Sequence, residues 1–537
     1  MSTENESNGK NMFLFWGCFV ALIATAFGFQ ARFFLVGTWQ DLFQLTETQK
    51  GEIIGAGLWP FAISIILFSL IIDKVGYGKA MVFALVCHVT QALMLWLANG
   101  YNMLYWGSIV GALGNGTVEA VINPVVATMF VRQKTKWLAI LHAGWPGGLV
   151  IAGLLFMVVG STDAAGNFEN WRLLAALTLI PVVVYAIMLF KKEFPVNERV
   201  KAGVSFKEML QEPGILGWAV AVTLVVLELG RVLIAPDNDS ATLIKIAAIV
   251  ILVVPYALYV RALGNLMYFF LLLVMTLLAT TELGIDGWSR ELMESSFKGS
   301  ELDPAWVLIY TALIMVILRF FAGPITHKLP PLNLLAISAV VAAVGVYSLG
   351  AAGGFGMLFI AATIYGVGKT FFWPATLGFV SERFPRGGAM TINMIAGIGM
   401  LSVGTIGAPW LGFVQDKNIG EQAQEAQLNV LQAEEKMFVG LISYPAIDDA
   451  KQQGLSDEDK TKLADIQGTA KKNALKTAAA LPIAMLICYL ILIMHFKNRG
   501  GYKPVELDTG ESAGGGTESG SGGSESVEAP SDEGGSS

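Results

Sequence analysis

Charge is what this sequence has least of. Only 14% of its 537 residues are Asp, Glu, Lys or Arg, against about a quarter in an ordinary soluble domain. That excludes a water-facing surface wrapped around the whole chain. Cysteine is equally scarce: Cys18, Cys87 and Cys488 each sit inside an apolar stretch. They read as small hydrophobes and exclude a disulfide framework or a thiolate metal site. Four scattered histidines have no metal-ligand spacing. With no nucleophile–base set in view, no enzyme, cofactor, metal or nucleic-acid partner is expected. Gly366-Val-Gly-Lys369-Thr370 resembles the end of a phosphate-binding loop, but Thr363 stands where the leading glycine belongs, and the surrounding stretch is apolar.

Apolar residues fill the space that charge leaves, at 54% of the chain. Roughly 20 of them in a row span a bilayer as a helix. Such runs fall at about residues 12–36, 51–72, 80–98, 102–129, 138–160, 172–190, 215–234, 243–262, 264–285, 305–327, 331–350, 356–380, 388–414 and 477–497, about 14 in all by the membrane-length criterion. The start, MSTENESNGKNMF, lacks a basic segment and a small-residue cleavage site, so the first run is read as a retained span. The expected organisation is an N-terminal six-helix domain over 1–190 and a linker with an extra helix pair over 191–262. A C-terminal six-helix domain follows over 263–499, and a tail over 500–537. From Val505 onward there are eight acidic and no basic residues among Gly and Ser, a composition expected to be disordered. A charged, helix-prone insertion at 415–476 is expected to form a small helical cap.

Lys and Arg set the orientation. With the N-terminus inside, the inner loops carry Lys74, Lys79, Arg132, Lys134, Lys136, Lys191, Lys192, Arg199, Lys201, Lys207, Arg261, Lys328, Arg383, Arg386, Lys497 and Arg499. The outer short loops carry only Lys50, Arg172, Lys245, Arg290 and Lys298. A multi-pass protein of the inner (cytoplasmic) membrane, both termini cytoplasmic, is the expectation.

Two halves of the chain correspond. At an offset of 250, Asn115, Gly116, Glu119, Asn123 and Pro124 meet Tyr365, Gly366, Lys369, Trp373 and Pro374, and Gly147 meets Gly397. Parallel repeats of this kind build secondary transporters, with a site near the midplane between them. The helix pair at 215–262 has no counterpart in the first half.

The loop Ser69-Leu-Ile-Ile-Asp73-Lys74-Val-Gly76-Tyr77-Gly78-Lys79 resembles the signature between spans two and three of the major facilitator superfamily. Ser69 replaces its first glycine and Tyr77 its second arginine. The second-half copy keeps Gly323 but has His327 in place of the acid. Gly114-Asn-Gly-Thr-Val-Glu119-Ala-Val-Ile-Asn123-Pro124 resembles the fourth span of the fucose/glucose–galactose proton symporter branch. The resemblance implies an all-α membrane fold of two six-helix domains and an embedded glutamate that handles protons and sugar. It also implies a small sugar-like solute as the partner, with protons; separately, a monomer is expected. The embedded aspartate of that branch's first span is missing; Gln30 and Arg32 stand nearby.

Ionisable residues inside a span suggest function by default. Asn115, Glu119 and Asn123 recur every four residues, as do Tyr365, Lys369 and Trp373, which places each trio on one helix face. Glu119 is expected to couple protons or accept hydrogen bonds from solute; a structural ion pair with Lys369 is the competing reading. Lys369 and Trp373 are expected to hold solute, the indole by stacking. His142 and Trp145, beside Pro146, and Asn393, the rough partner of His142, complete the binding and coupling candidates. Asp73, Lys74, Arg132, Arg319, Glu282 and Arg32 are the gating candidates. Arg319 is expected to pair with an acid at the cytoplasmic gate, and Glu282 with Asp286 to form the outer gate or bind substrate, a solvated helix end being the competing reading. Glu228 and Arg231, three apart, are expected to satisfy each other. An organic anion or drug carrier using Lys369 and Arg319, or a transporter-like sensor, are the alternatives.

Overall fold

The structure is a computed structural model that describes residues 2–164, 166–234, 240–287, 306–432, 436–438, 442–448, 451–452 and 454–507. Trp288, Arg290, Lys298 and the acidic tail beyond Leu507 lie outside the described residues. With no water to pair exposed backbone groups, an apolar chain of this length must satisfy them within helices. Among the described residues, thirteen helices are long and apolar enough to cross a bilayer. Trp306–Phe320 and Ala322–Lys328, bent by 64°, make a fourteenth if taken as one span.

Numbered in chain order, the spans are 1 (Asn11–Phe43), 2 (Gln49–Val75), 3 (Tyr77–Trp96), 4 (Tyr101–Met129), 5 (Val131–Val159), 6 (Trp171–Leu189), 7 (Gly214–Leu233) and 8 (Ala241–Val260). Next come 9 (Leu266–Gly287), 10 (the bent pair), 11 (Pro331–Ala351), 12 (Phe355–Arg383), 13 (Pro385–Glu425) and 14 (Asp457–Lys497). An even count returns both chain ends to one face, called here the termini face.

Burial sorts the spans. Span 4 is 89% buried over its most apolar window and span 8 only 6%. Glu119 therefore stands on a central helix, and the extra pair lies at the periphery. Span 7 packs on spans 9 and 13 and forms a hairpin with span 8. Its Glu228 and Arg231 pair at 2.5 Å, so this buried carboxylate is neutralised within one helix turn.

The halves meet where span 2 packs on span 13 and span 5 on span 10. Gly397 lies at the first contact: a Cβ there would come within 2.6 Å of the Ile66 side chain, so only hydrogen permits this approach. On the termini face the halves are closed. Lys134 Nζ donates to Glu198 (2.7 Å) and to the Ser381 carbonyl (3.1 Å), and the Thr135 hydroxyl donates to Glu382 (2.7 Å). Arg199 pairs with Asp73, the Asn197 amide donates to the Tyr77 hydroxyl at 3.2 Å, and Arg386 pairs with Glu208 at 2.9 Å. Tyr502 donates to Glu382 at 2.7 Å. The Glu208 carboxyl lies outside the spans and is held below the usual carboxylate range, first by hydrogen bonds from Ser205 and then by Arg386.

The expected cap differs in composition. The span 13 helix runs on through Glu425, so residues from 415 belong to it. Two short strands, Lys436–Phe438 and Ile442–Tyr444, pair antiparallel. The helix Asp457–Ala478 then leads into Ala480–Lys497. Ile419, Ala423, Leu428, Val430, Leu463 and Ala470 form a small core of their own, an apolar cluster that the charged composition conceals.

Gly116 backs span 4 against span 2, and a Cβ there would lie 2.2 Å from the Phe61 carbonyl. Gly116→Val should lower the thermal midpoint of the purified protein, by the equivalent of about 1–3 kcal/mol or more for overpacking a core. Differential scanning fluorimetry measures it; an unchanged midpoint would contradict this packing.

Candidate functional site

A cavity of about 870 Å³ lies between the halves. Its mouth is lined by Gly37, Asp41, Lys50, Asn167 and Gly287, at the ends of spans remote from the termini face. Its floor carries Glu119, His142, Trp145, Arg319, Trp373 and Met400. It therefore opens on the far face and is sealed on the termini face by the contacts above.

Each polar group on the floor is held by a local feature of the chain. Glu119 accepts from Asn123 Nδ2 at 3.3 Å, one turn along span 4. Asn123 Oδ1 in turn accepts from His142 Nε2 at 3.0 Å. These three form a chain from the cavity into span 5. Trp145 is fixed by stacking on Phe61, with ring centroids 6.3 Å apart, and Trp373 lines the opposite wall.

The wall from the second half is irregular. Thr280–Gly284 in span 9 and Val403–Gly407 in span 13 are π-helical turns. They pack on each other, and both place residues on the cavity, Glu282 to Gly284 and Val403. A π-turn widens the helix by one residue and swings side chains off the usual face. That is how Glu282 comes to face inward, buried, instead of ending in solvent.

Several expectations are corrected by the packing. Arg319 meets no acid at the termini-face closure: Nη2 donates to Glu282 at 3.1 Å, Nη1 to the His142 carbonyl and Nε to the Thr370 carbonyl, both at 2.7 Å. Its place in the inner half of a bent span leaves it at the cavity floor. Lys369 is not the counter-ion of Glu119. It is fully buried and binds Asp286 at 2.5 and 2.6 Å and Thr311 at 3.2 Å. Tyr365 donates to the same Asp286 at 3.2 Å, so Lys369 and Tyr365 stand behind the wall while Asp286 lines it. Asn115 does not share the cavity face with Glu119. Its side chain accepts from His88 Nε2, on span 3, at 2.9 Å.

Arg32, a gating candidate, does not line the cavity. It is buried against Gly57 and over the Phe29 ring, 5.5 Å from its centroid. Asn393 donates to the Ala120 carbonyl of the other half at 3.0 Å. Asp73 takes Arg199, and Lys74 lies over the Phe206 ring at 5.3 Å. Arg132 lines a second hollow of about 680 Å³ on the termini face, with Lys134, His327 and Glu382. Among the described residues no group of three or more His, Cys, Asp and Glu could hold a metal ion.

Asp286, His88 and Gln30 are polar groups that the repeat did not single out as a site. Asp286 has a signal, an acid one helical turn past Glu282. His88 has one too, lying three residues before Gln91 within an apolar run.

The sequence pattern of the Major Facilitator Superfamily matches residues 18–407. Over 156 residues the chain is 25% identical to the facilitated glucose transporter member 2 of solute carrier family 2 from Sus scrofa. That match covers 27% of this chain and spans only 29% of the relative's length. Among solved structures, the chain is similar to the transporter FucP in its outward conformation, with 15% identity, 90% of this chain and 99% of that one covered, and a TM-score of 0.57. FucP is the fucose:proton symporter of E. coli. It is likewise similar to the proton:xylose symporter XylE, at 13% identity, 93% and 98% coverage and TM-score 0.60. The human organic anion transporter MFSD10 is similar at 12% identity, 89% and 99% coverage and TM-score 0.57. At these identities the structural likeness establishes the fold.

The Lys369–Asp286 pair makes an asymmetric prediction. Asp286→Ala strands a fully buried ammonium and should cost about 3–5 kcal/mol. Lys369→Met leaves a carboxylate that still reaches the cavity, and should lower the thermal midpoint less. Thermal unfolding of the two variants side by side checks the order.

Proposed function

Because the chain belongs to the Major Facilitator Superfamily, we propose that it carries a small sugar-like solute across the inner membrane by alternating access, in symport with a proton. The observation that carries this reading is the unequal treatment of the carboxylates around the cavity. Glu282 and Asp286 each have a cation, Arg319 and Lys369. Glu119 has a neutral amide, Asn123. A carboxyl held by a neutral donor in a dry wall can change protonation without stranding a buried cation, which suits it to couple a proton.

The same inventory supports a neutral solute. Trp145 and Trp373 offer apolar faces for a ring, and Glu119, Glu282 and Asp286 offer acceptors for hydroxyls. An anion would have to displace Glu282 or Asp286 from its cation. The cavity volume of about 870 Å³ is within the ordinary range for small-molecule sites. The loop charges favour cytoplasmic termini, and one chain encloses the whole cavity, as a functional monomer requires. The fold relation to FucP, a fucose:proton symporter, and XylE, a proton:xylose symporter, supports the same reading.

In proteoliposomes, Glu119→Gln should abolish accumulation driven by a pH gradient while leaving solute exchange in place. Unchanged accumulation would remove Glu119 from the coupling role. A panel of neutral sugars and organic anions, tested for thermal stabilisation of the purified protein, should show stabilisation by sugars. Trp373→Ala should then weaken that binding by about tenfold, the worth of one aromatic contact; stabilisation by anions alone would favour an anion carrier.

A further inference from the structure

A proline has no N–H, so within a helix it leaves the carbonyl four residues earlier without its partner. In a bilayer that carbonyl must find another donor. Pro124 frees Ala120, Pro146 frees His142 and Pro374 frees Thr370 in this way. The helices pause briefly at Ala143 and at Thr370–Phe371 and then resume: Gly147 N–H bonds the Ala143 carbonyl, and Ala375 N–H bonds the Phe371 carbonyl, each at 3.0 Å.

All three freed carbonyls are taken by side chains of other helices. The Ala120 carbonyl accepts from Asn393 at 3.0 Å. The His142 and Thr370 carbonyls accept from Nη1 and Nε of Arg319, both at 2.7 Å. Two of these bonds join the halves. Span 4 is tied to span 13 by Ala120 and Asn393, and span 5 to span 10 by His142 and Arg319. Both Asn393 and Arg319 are buried. Arg319 also lines the cavity and holds Glu282 with its remaining nitrogen.

We infer that the two cross-half bonds, Asn393 to the Ala120 carbonyl and Arg319 to the His142 carbonyl, form a latch that holds the far-face-open state, with Pro124 and Pro146 supplying the free acceptors. The prolines reserve these carbonyls for the other half, because no N–H of their own helix competes. When the halves rock, the bonds break and the termini face opens. Arg319 is the positioning residue that connects the latch to the solute cavity through Glu282. The inference rests on the alternating-access part of the function proposed above, and on neither the sugar nor the proton.

Two reporters test it, each read by maleimide labelling of purified protein in nanodiscs with Cys488 replaced by Ala. Gly37→Cys lies at the open mouth, where a Cβ meets no atom within 4 Å. Ser381→Cys is buried in the termini-face closure and labels only when that face opens. Pro124→Ala restores an N–H that bonds the Ala120 carbonyl within span 4 and so competes with Asn393; Pro146→Ala does the same for His142. Each, like Asn393→Ala, should raise labelling at Ser381→Cys about fivefold, the worth of one net hydrogen bond. Pro124→Ala combined with Asn393→Ala should give no more than either alone, since both remove one bond. Pro124→Ala with Pro146→Ala should multiply.

The latch is overturned if these variants, while still labelled at Gly37→Cys, label at the Ser381→Cys reporter no faster than the parent. It is also overturned if Pro124→Ala and Asn393→Ala multiply, which would mean that straightening the helix, and not the bond, is responsible. Labelling at Ser381→Cys in the parent shows that the two states exist. Its absence in every background would remove alternating access, and the latch with it.

Discussion

One guanidinium, that of Arg319, closes the floor of the cavity by pairing groups that three other helices cannot satisfy themselves. Two are backbone carbonyls stripped of their helical donors by Pro146 and Pro374; the third is the carboxylate of Glu282. In hydrocarbon each unpaired group would cost several kcal/mol. A planar fork with several fixed donors is the side chain that can serve three acceptors at once. Lysine carries donors but no such geometry.

Around that constraint the cavity acquires its character. Glu282 and Asp286 are spoken for by Arg319 and Lys369, so the wall from the second half is polar yet electrically balanced. Across from it stands Glu119, on the most buried span, hydrogen-bonded to an amide that is itself bonded to His142. The two π-turns, Thr280–Gly284 and Val403–Gly407, give the second half a wall unlike that of the first. The halves thus share a frame and differ in chemistry. Closure on the termini face is a separate layer, built from Lys134, Thr135 and Glu382 and reinforced by Asn197, Arg199 and Tyr502.

Particular residues show how far a reader of the sequence can go. The spans were legible because about 20 apolar residues in a row have few other fates. The Glu228–Arg231 pair was legible because three residues is a local distance on a helix. Glu119 stood out as an acid in an apolar run. Lys369, the partner that the competing reading gave it, turned instead to Asp286, on span 9, and Arg319 turned from the termini face to Glu282. Asn115 followed the same four-residue rhythm as Glu119 and nonetheless turned to His88. In each case the deciding neighbour lies on another helix.

The prolines put the division most sharply. Pro124, Pro146 and Pro374 by themselves determined that three carbonyls would lack a donor, because that follows from covalent structure. Composition determined a bundle of membrane spans, and the 250-residue offset determined two related halves. Which donor each free carbonyl would meet was decided only when the helices packed. Asn393 is 273 residues from Ala120 in the chain, and Arg319 is 177 from His142. Nothing in local spacing constrains contacts at such separations; they depend on helix rotation, on π-turns and on glycines such as Gly397 that admit close approach.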